Sequence, residues 1–151
     1  MIYKTKYFGE VDCDESELFH FPLGLPGFED EHSFLIIPFE DSNGNMFSLQ
    51  SATTPSLSFI VMDPFTLDPT YEPELSASEL RELGAAQWQE LTYGVLCAPK
   101  NPISTSTVNL RCPIVVHLDT RQGKQIVMDS TRYQMRHLLS EFGQQEGHTS
   151  C

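Results

Sequence analysis

Apolar residues in this chain recur mostly at every second position, in short runs that proline or glycine soon interrupts. A period of two is the strand period, because successive side chains of an extended backbone leave opposite faces. Ten prolines and nine glycines keep the elements short and work against long helices. The candidate strands are Ile2–Phe8, Leu18–Phe21, Phe34–Ile37, Met46–Ser51, Ser58–Met62, Leu91–Ala98, Thr107–Leu110, Ile114–Leu118 and Gln125–Asp129. In the first, Tyr3, Thr5 and Tyr7 share one face and Lys4 and Lys6 the other. Asp41-Ser42-Asn43-Gly44-Asn45 holds the Asn-Gly pair of a tight hairpin, and Arg121-Gln122-Gly123 marks another. Many short strands at close spacing predict a mostly all-β fold, a compact antiparallel β-barrel-like domain with two short helices.

The first helix is announced by Ser76 and Glu79 at capping-box spacing, with Leu75 and Leu80 placed as a hydrophobic staple. Leu83 continues its apolar face and Gly84 ends it. The second is expected over Arg132–Phe142, where Met135, Leu138, Leu139 and Phe142 form one stripe that suits docking on the sheet. Pro64–Pro73, with three prolines, is the most loop-like stretch and is placed to wrap across one face. The chain shows neither an internal repeat nor a low-complexity linker, so residues 1–143 read as one domain and 144–151 as a fraying tail. A domain of 151 residues buries roughly 68–70% of its unfolded surface and needs no metal or disulfide to fold.

Charge narrows the class of partner. Twenty-one acidic residues against nine Lys plus Arg give a net charge of −12. Such a surface repels a phosphate backbone, which argues against nucleic-acid binding, and it steers basic proteins inward. Acidity that serves only solubility gives the same composition. The first residues lack the apolar stretch of a secretory signal, and no apolar run approaches the ~18 residues of a membrane span. Cys13, Cys97, Cys112 and Cys151 show no C-x-x-C spacing. A reduced, cytoplasmic protein with free thiols is expected.

Chemistry-bearing motifs are missing. The five histidines are dispersed, and only tertiary folding of Cys97, Cys112 and His117 would assemble a metal site. Asp41–Asn45 opens like a calcium loop, but its glycine comes too early and Ala52 stands where the bidentate glutamate belongs. Gly24-Leu25-Pro26-Gly27 has no G-K-[ST] after it, so it is no phosphate cradle. There is no G-x-S-x-G elbow. The acidic runs Asp12–Glu17 and Glu29-Asp30-Glu31 read as solvated surface rather than paired catalytic carboxylates. No enzyme activity and no cofactor are implied.

The most distinctive segment is Phe21-Pro22-Leu23-Gly24-Leu25-Pro26-Gly27-Phe28-Glu29. It is a rigid turn that either presents Leu25 and Phe28 beside an acidic run or turns them inward as a structural corner. Read with Leu49-Gln50-Ser51, Asp63-Pro64, Tyr71-Glu72-Pro73, Thr107-Val108-Asn109-Leu110, Pro113-Ile114-Val115-Val116 and Gly123-Lys124-Gln125-Ile126-Val127, it resembles the FliW flagellar assembly factor family over residues 1–142. His117 stands where that family often has Asn, and Arg111-Cys112 is more polar than its usual pattern.

The resemblance implies a compact β-barrel-like domain without catalysis and two protein partners. One is flagellin, held before export. The other is CsrA, a basic translational repressor whose capture frees flagellin messenger RNA. The candidate contact residues are Phe28, Glu29, Asp30 and Glu31 on the turn, with Gln50, Ser51 and Asn109. Gln50 and Asn109 suit buried amides that fix backbone groups equally well. Other classes remain open: a small β-barrel hydrolase or sugar-binding domain, with a deep polar pocket, or a structural flagellar subunit that self-associates. High net charge favours a monomer.

Overall fold

The computed structural model describes residues 1–42, 44–129 and 132–142, and in it the alternating segments become short antiparallel strands. β1 (Ile2–Lys4) and β2 (Glu10–Asp12) form a separate hairpin, with Tyr3 opposite Val11. The expected strand Ile2–Phe8 therefore stops at Lys4. Thr5 turns the chain by donating from both N–H and Oγ1 to the Gly9 carbonyl at 2.8 Å.

β3 (Phe19–His20), β4 (Ser33–Pro38), β5 (Met46–Ser51) and β6 (Ser58–Met62) then make a meander. Its register sets Phe19 opposite Phe34, Phe34 opposite Ser51 and Leu49 opposite Phe59. The β4–β5 connection is longer than the tight hairpin expected: a 3₁₀ turn at Glu40–Ser42 precedes Gly44, which has φ +81°, while Asn43 lies outside the described residues.

The chain continues through α1 (Pro64–Leu67) and α2 (Ala77–Glu82) to β7 (Thr92–Ala98), β8 (Thr107–Val108), β9 (Ile114–Val116), β10 (Gly123–Gln125) and β11 (His137–Leu138). The main sheet has the order β10-β9-β7-β6-β5-β4-β3, with β8 on β7 and β11 on β8. It does not close into a barrel. Its two end strands meet at one bridge, His20 to Gln122, where His20 N–H donates to the Arg121 carbonyl at 2.7 Å.

The sheet buries side chains on both faces, which is why β4, β6 and β9 read as short apolar runs rather than strict alternation. β7 sends Tyr93, Val95 and Cys97 into one core with Leu67, Tyr71, Leu83, Ile126 and Leu139. Val61 and Ile114 point the other way, joining Phe21, Leu25, Phe34 and Leu49. Segment 64–91 roofs the first core. Asp63 caps α1 by accepting from Phe65 N–H at 2.9 Å, so the stretch read as loop begins with a helical turn. α2 starts with the Ser76–Glu79 capping box that the spacing predicts. Tyr71 OH, donating to Leu110 O at 2.7 Å, ties the roof to the sheet.

Arg132–Phe142 departs from expectation. It holds no α-helix: β11 pairs with β8, His137 opposite Val108, and Leu139–Phe142 is a 3₁₀ turn. Leu139 is buried, but Met135 and Leu138 are 53% and 45% exposed, so the stripe does not act as one face. The pairing with β8 replaces the helical bonds. His137 also holds its own loop, with Nε2 accepting Gln134 N–H at 2.8 Å and Nδ1 3.0 Å from Glu141 Oε2. The expected strand Gln125–Asp129 lies earlier, at Gly123–Gln125, and continues beyond it as backbone bonds from Ile126 N–H to Pro113 O at 2.9 Å and from Met128 N–H to Arg111 O at 3.0 Å. Among the described residues no helix is long and apolar enough to cross a membrane.

Candidate functional site

The turn after β3 is built from its backbone outward. Phe21 is fully buried and its N–H donates to His32 O at 2.7 Å. Its carbonyl accepts from Gly24 N–H at 2.9 Å and from His32 Nδ1–H at 3.0 Å. Leu25 and Phe28 bridge each other, Phe28 N–H donating to Leu25 O at 2.7 Å, and Glu31 N–H closes on Phe28 O at 3.1 Å. Gly24 has φ +64°, and a Cβ there would lie 2.6 Å from Phe28 O and 2.7 Å from Glu29 Cα. Only glycine permits that approach.

This frame divides the apolar pair of the turn. Leu25 is 2% exposed and belongs to the second core, so it is not presented to solvent. Phe28 is 40% exposed and rests edge-on against Phe59, ring centres 5.2 Å apart. Leu23 is 68% exposed and lines a groove with Gly123 and Lys124. Glu29 and Asp30 are exposed, and neither joins an ion pair among the described residues. Glu29 Oε2 accepts Gly27 N–H at 3.1 Å.

Glu31 is a different kind of carboxylate. It accepts from the hydroxyls of Ser51, Thr54 and Thr53, the last at 3.0 Å. Those bonds, from Ser51 and Thr54 foremost, hold its carboxyl below the usual range. Ser51 is fully buried, and its Oγ also accepts the N–H groups of Thr53 and Thr54 at 3.1 and 2.9 Å. Glu31 and Ser51 thus form one clamp between the turn and loop 51–54. Thr53 and Thr54, which complete it, carry no signal in the sequence.

Gln50 supports the same loop from the other face of β5. It is fully buried; its Nε2 sits 3.0–3.1 Å from the carbonyls of Ser51, Pro55 and Leu57, and its Oε1 accepts Lys6 N–H at 2.9 Å. Asn109 lies apart, in the turn after β8, where its Oδ1 accepts Cys112 N–H at 3.0 Å. Of the seven candidates, Phe28, Glu29 and Asp30 face solvent together, Glu31, Ser51 and Gln50 hold their frame, and Asn109 shapes a distant turn. No three of His, Cys, Asp or Glu among the described residues are grouped to hold a metal ion.

Comparison with known proteins adds an independent line. A family model described as FliW protein matches residues 2–139. A flagellar assembly factor FliW from Geobacillus sp. (strain WCH70) is 38% identical over 135 residues, covering 89% of this chain and 92% of that protein. One from Thermosipho africanus (strain TCF52B) is 35% identical over 147 residues, 97% and 100% of the two chains. A crystal structure of the flagellar assembly factor FliW superposes with a TM-score of 0.84 at 32% identity, over 92% of this chain and 96% of that one.

Proposed function

The chain belongs to the FliW family of flagellar assembly factors, and from that premise we propose that it binds flagellin and CsrA as alternative partners. While flagellin is unexported it occupies the protein. Once flagellin leaves, the free protein captures CsrA and relieves repression of flagellin messenger RNA. The work is done in the cytoplasm, by a monomer, through binding rather than turnover and without contact to RNA. Two ligands that exclude each other share a surface or favour different states of the protein.

The observation that most supports this reading is the turn at Phe28–Asp30. A half-exposed aromatic ring stands beside two carboxylates that join no ion pair among the described residues, on a backbone fixed by its own hydrogen bonds and by the Glu31 clamp. A rigid aromatic anchor flanked by charge loses little entropy on binding and attracts a basic partner over a distance.

The test is calorimetric titration with CsrA and with flagellin, each alone and then in competition. Glu29→Lys with Asp30→Lys is expected to weaken CsrA binding about tenfold at low ionic strength and to flatten its salt dependence. An unchanged affinity at low salt removes the turn from the interface. If neither protein binds the parent chain, the functional reading itself fails.

A further inference from the structure

The open side of the main sheet traces to one residue. β3 runs parallel to the chain entering β10, with His20 bridged to Gln122 and its N–H bonded to Arg121 O. The next step of a parallel ladder needs the N–H of residue 22 to reach the Gly123 carbonyl. Residue 22 is proline, which has no N–H, so the ladder ends there. Phe21 drops into the core over Gly123, where a Cβ would strike its ring, and the chain at Pro22–Gly24 swings away. What opens is a groove of about 260 Å³ walled by Pro22, Leu23, Leu83 and Gly123, with Glu82 and Lys124 on its rim.

The backbone left beside this groove is a strand edge. β10 and its flanks bond to β9 through even-numbered residues: Gln122 O accepts His117 N–H, and Ile126 N–H donates to Pro113 O, both at 2.9 Å. Alternation turns the Gly123 carbonyl and the Gln125 N–H away from β9, to the side where β3 has ended.

We propose that this groove takes an extended segment of a protein partner, which adds to β10 as a strand. Its backbone supplies the donor that Pro22 cannot and an acceptor for Gln125 N–H. It sets one apolar side chain between Leu23 and Leu83, and basic residues flank that anchor. The charge requirement comes from the turn beside the groove. Lys124 and Glu82 neutralise each other at 2.6 Å, while Glu29, whose backbone lies directly against the lining residue Gly24, adds negative charge outside any ion pair among the described residues. A basic segment complements this rim. A second copy of a chain with net charge −12 does not. The proposal rests on sheet geometry and holds whichever protein supplies the segment.

Selection of short displayed peptides on the full-length chain, with counter-selection on Leu23→Glu, tests it. Enriched sequences are expected to carry an apolar centre between Lys or Arg residues. The synthetic peptides should shift the Gly123 and Gln125 amide resonances and bind Leu23→Glu about tenfold more weakly. N-methylation of the central peptide amide, which removes the donor to Gly123 O, should abolish binding. Leu23 is mostly solvent-exposed, so the variant should keep its circular dichroism spectrum; Leu23→Thr replaces it if it does not. No enrichment, enrichment of acidic sequences, or full binding by the N-methylated peptide would each overturn the proposal. So would a sedimenting dimer that Leu23→Glu dissolves, which would seat a second copy in the groove.

Discussion

Replacing Gln50 by leucine is expected to lower stability by about 3 kcal/mol while leaving the exposed surface unchanged. The magnitude follows from the groups left behind. Lys6 N–H loses its side-chain acceptor, and because Lys6 is exposed and water can replace part of that bond the cost is about 1 kcal/mol. The carbonyls of Ser51, Pro55 and Leu57 lose the amide that lies among them, at about 1 kcal/mol for each bond whose oxygen stays dry. Leucine returns about 1 kcal/mol by burying more apolar surface. In a chain of this size the sum corresponds to a fall of about 9 °C in Tm. Urea titration followed by Trp88 fluorescence measures it, and hydrogen exchange at the Lys6 amide should quicken specifically. A loss below about 0.5 kcal/mol would show that the loop carbonyls reach water and that Gln50 is no clamp. Weakened partner binding at unchanged stability would instead put Gln50 in an interface.

Gly24→Ala is expected to destabilise by about 2 kcal/mol or more, because it combines a left-handed backbone with a collision against Phe28 O; a parental melting curve would refute that. Glu31→Gln should cost about 1 kcal/mol at pH 7 for the hydroxyl bonds it weakens, allowing for partial exposure. The folded carboxyl is held below its ordinary value of 4.5, so its contribution is present above that value and is lost as pH falls through the lowered one. The stability difference between parent and variant should therefore shrink in acid, and a gap that widens below pH 4.5 would contradict the clamp.

Where a segment's fate is decided by its own residues, the sequence was sufficient. The capping box at Ser76 and the bounds of Met46–Ser51 depend on local geometry and are as expected, whereas the turn at Gly44 keeps its positive φ but belongs to a longer connection with a 3₁₀ turn at Glu40–Ser42. Arg132–Phe142 failed because its helical stripe competes with an available strand partner, β8, and with side-chain bonds from His137 and Glu141 that periodicity does not encode. The compact, mostly antiparallel β fold with short helices is as expected, but the sheet stops short of a closed barrel: the seam between its end strands ends at Pro22, which has no N–H. In the site, the exposed acids were legible as an acidic run beside a proline-glycine turn. The division between Glu29 and Glu31 was not, because it depends on hydroxyls some twenty residues away.

That division changes how substitutions around the turn should be interpreted. Gln50 fixes loop 51–57 and ties it to the N-terminal hairpin, Ser51 fixes residues 53 and 54, and the hydroxyls of Ser51, Thr53 and Thr54 converge on Glu31. Glu31 in turn ends the segment that carries Phe28, Glu29 and Asp30. Loosening any link spreads the turn over more conformations, and binding weakens by the fraction of molecules that keep the right one. Effects at Gln50, Ser51 and Glu31 on a partner's affinity should therefore track their effects on stability. Effects at Glu29 and Asp30 should appear with stability unchanged, and that at Phe28 should exceed the stability cost of its contact with Phe59, so plotting one loss against the other for the six positions separates supporting residues from touching ones.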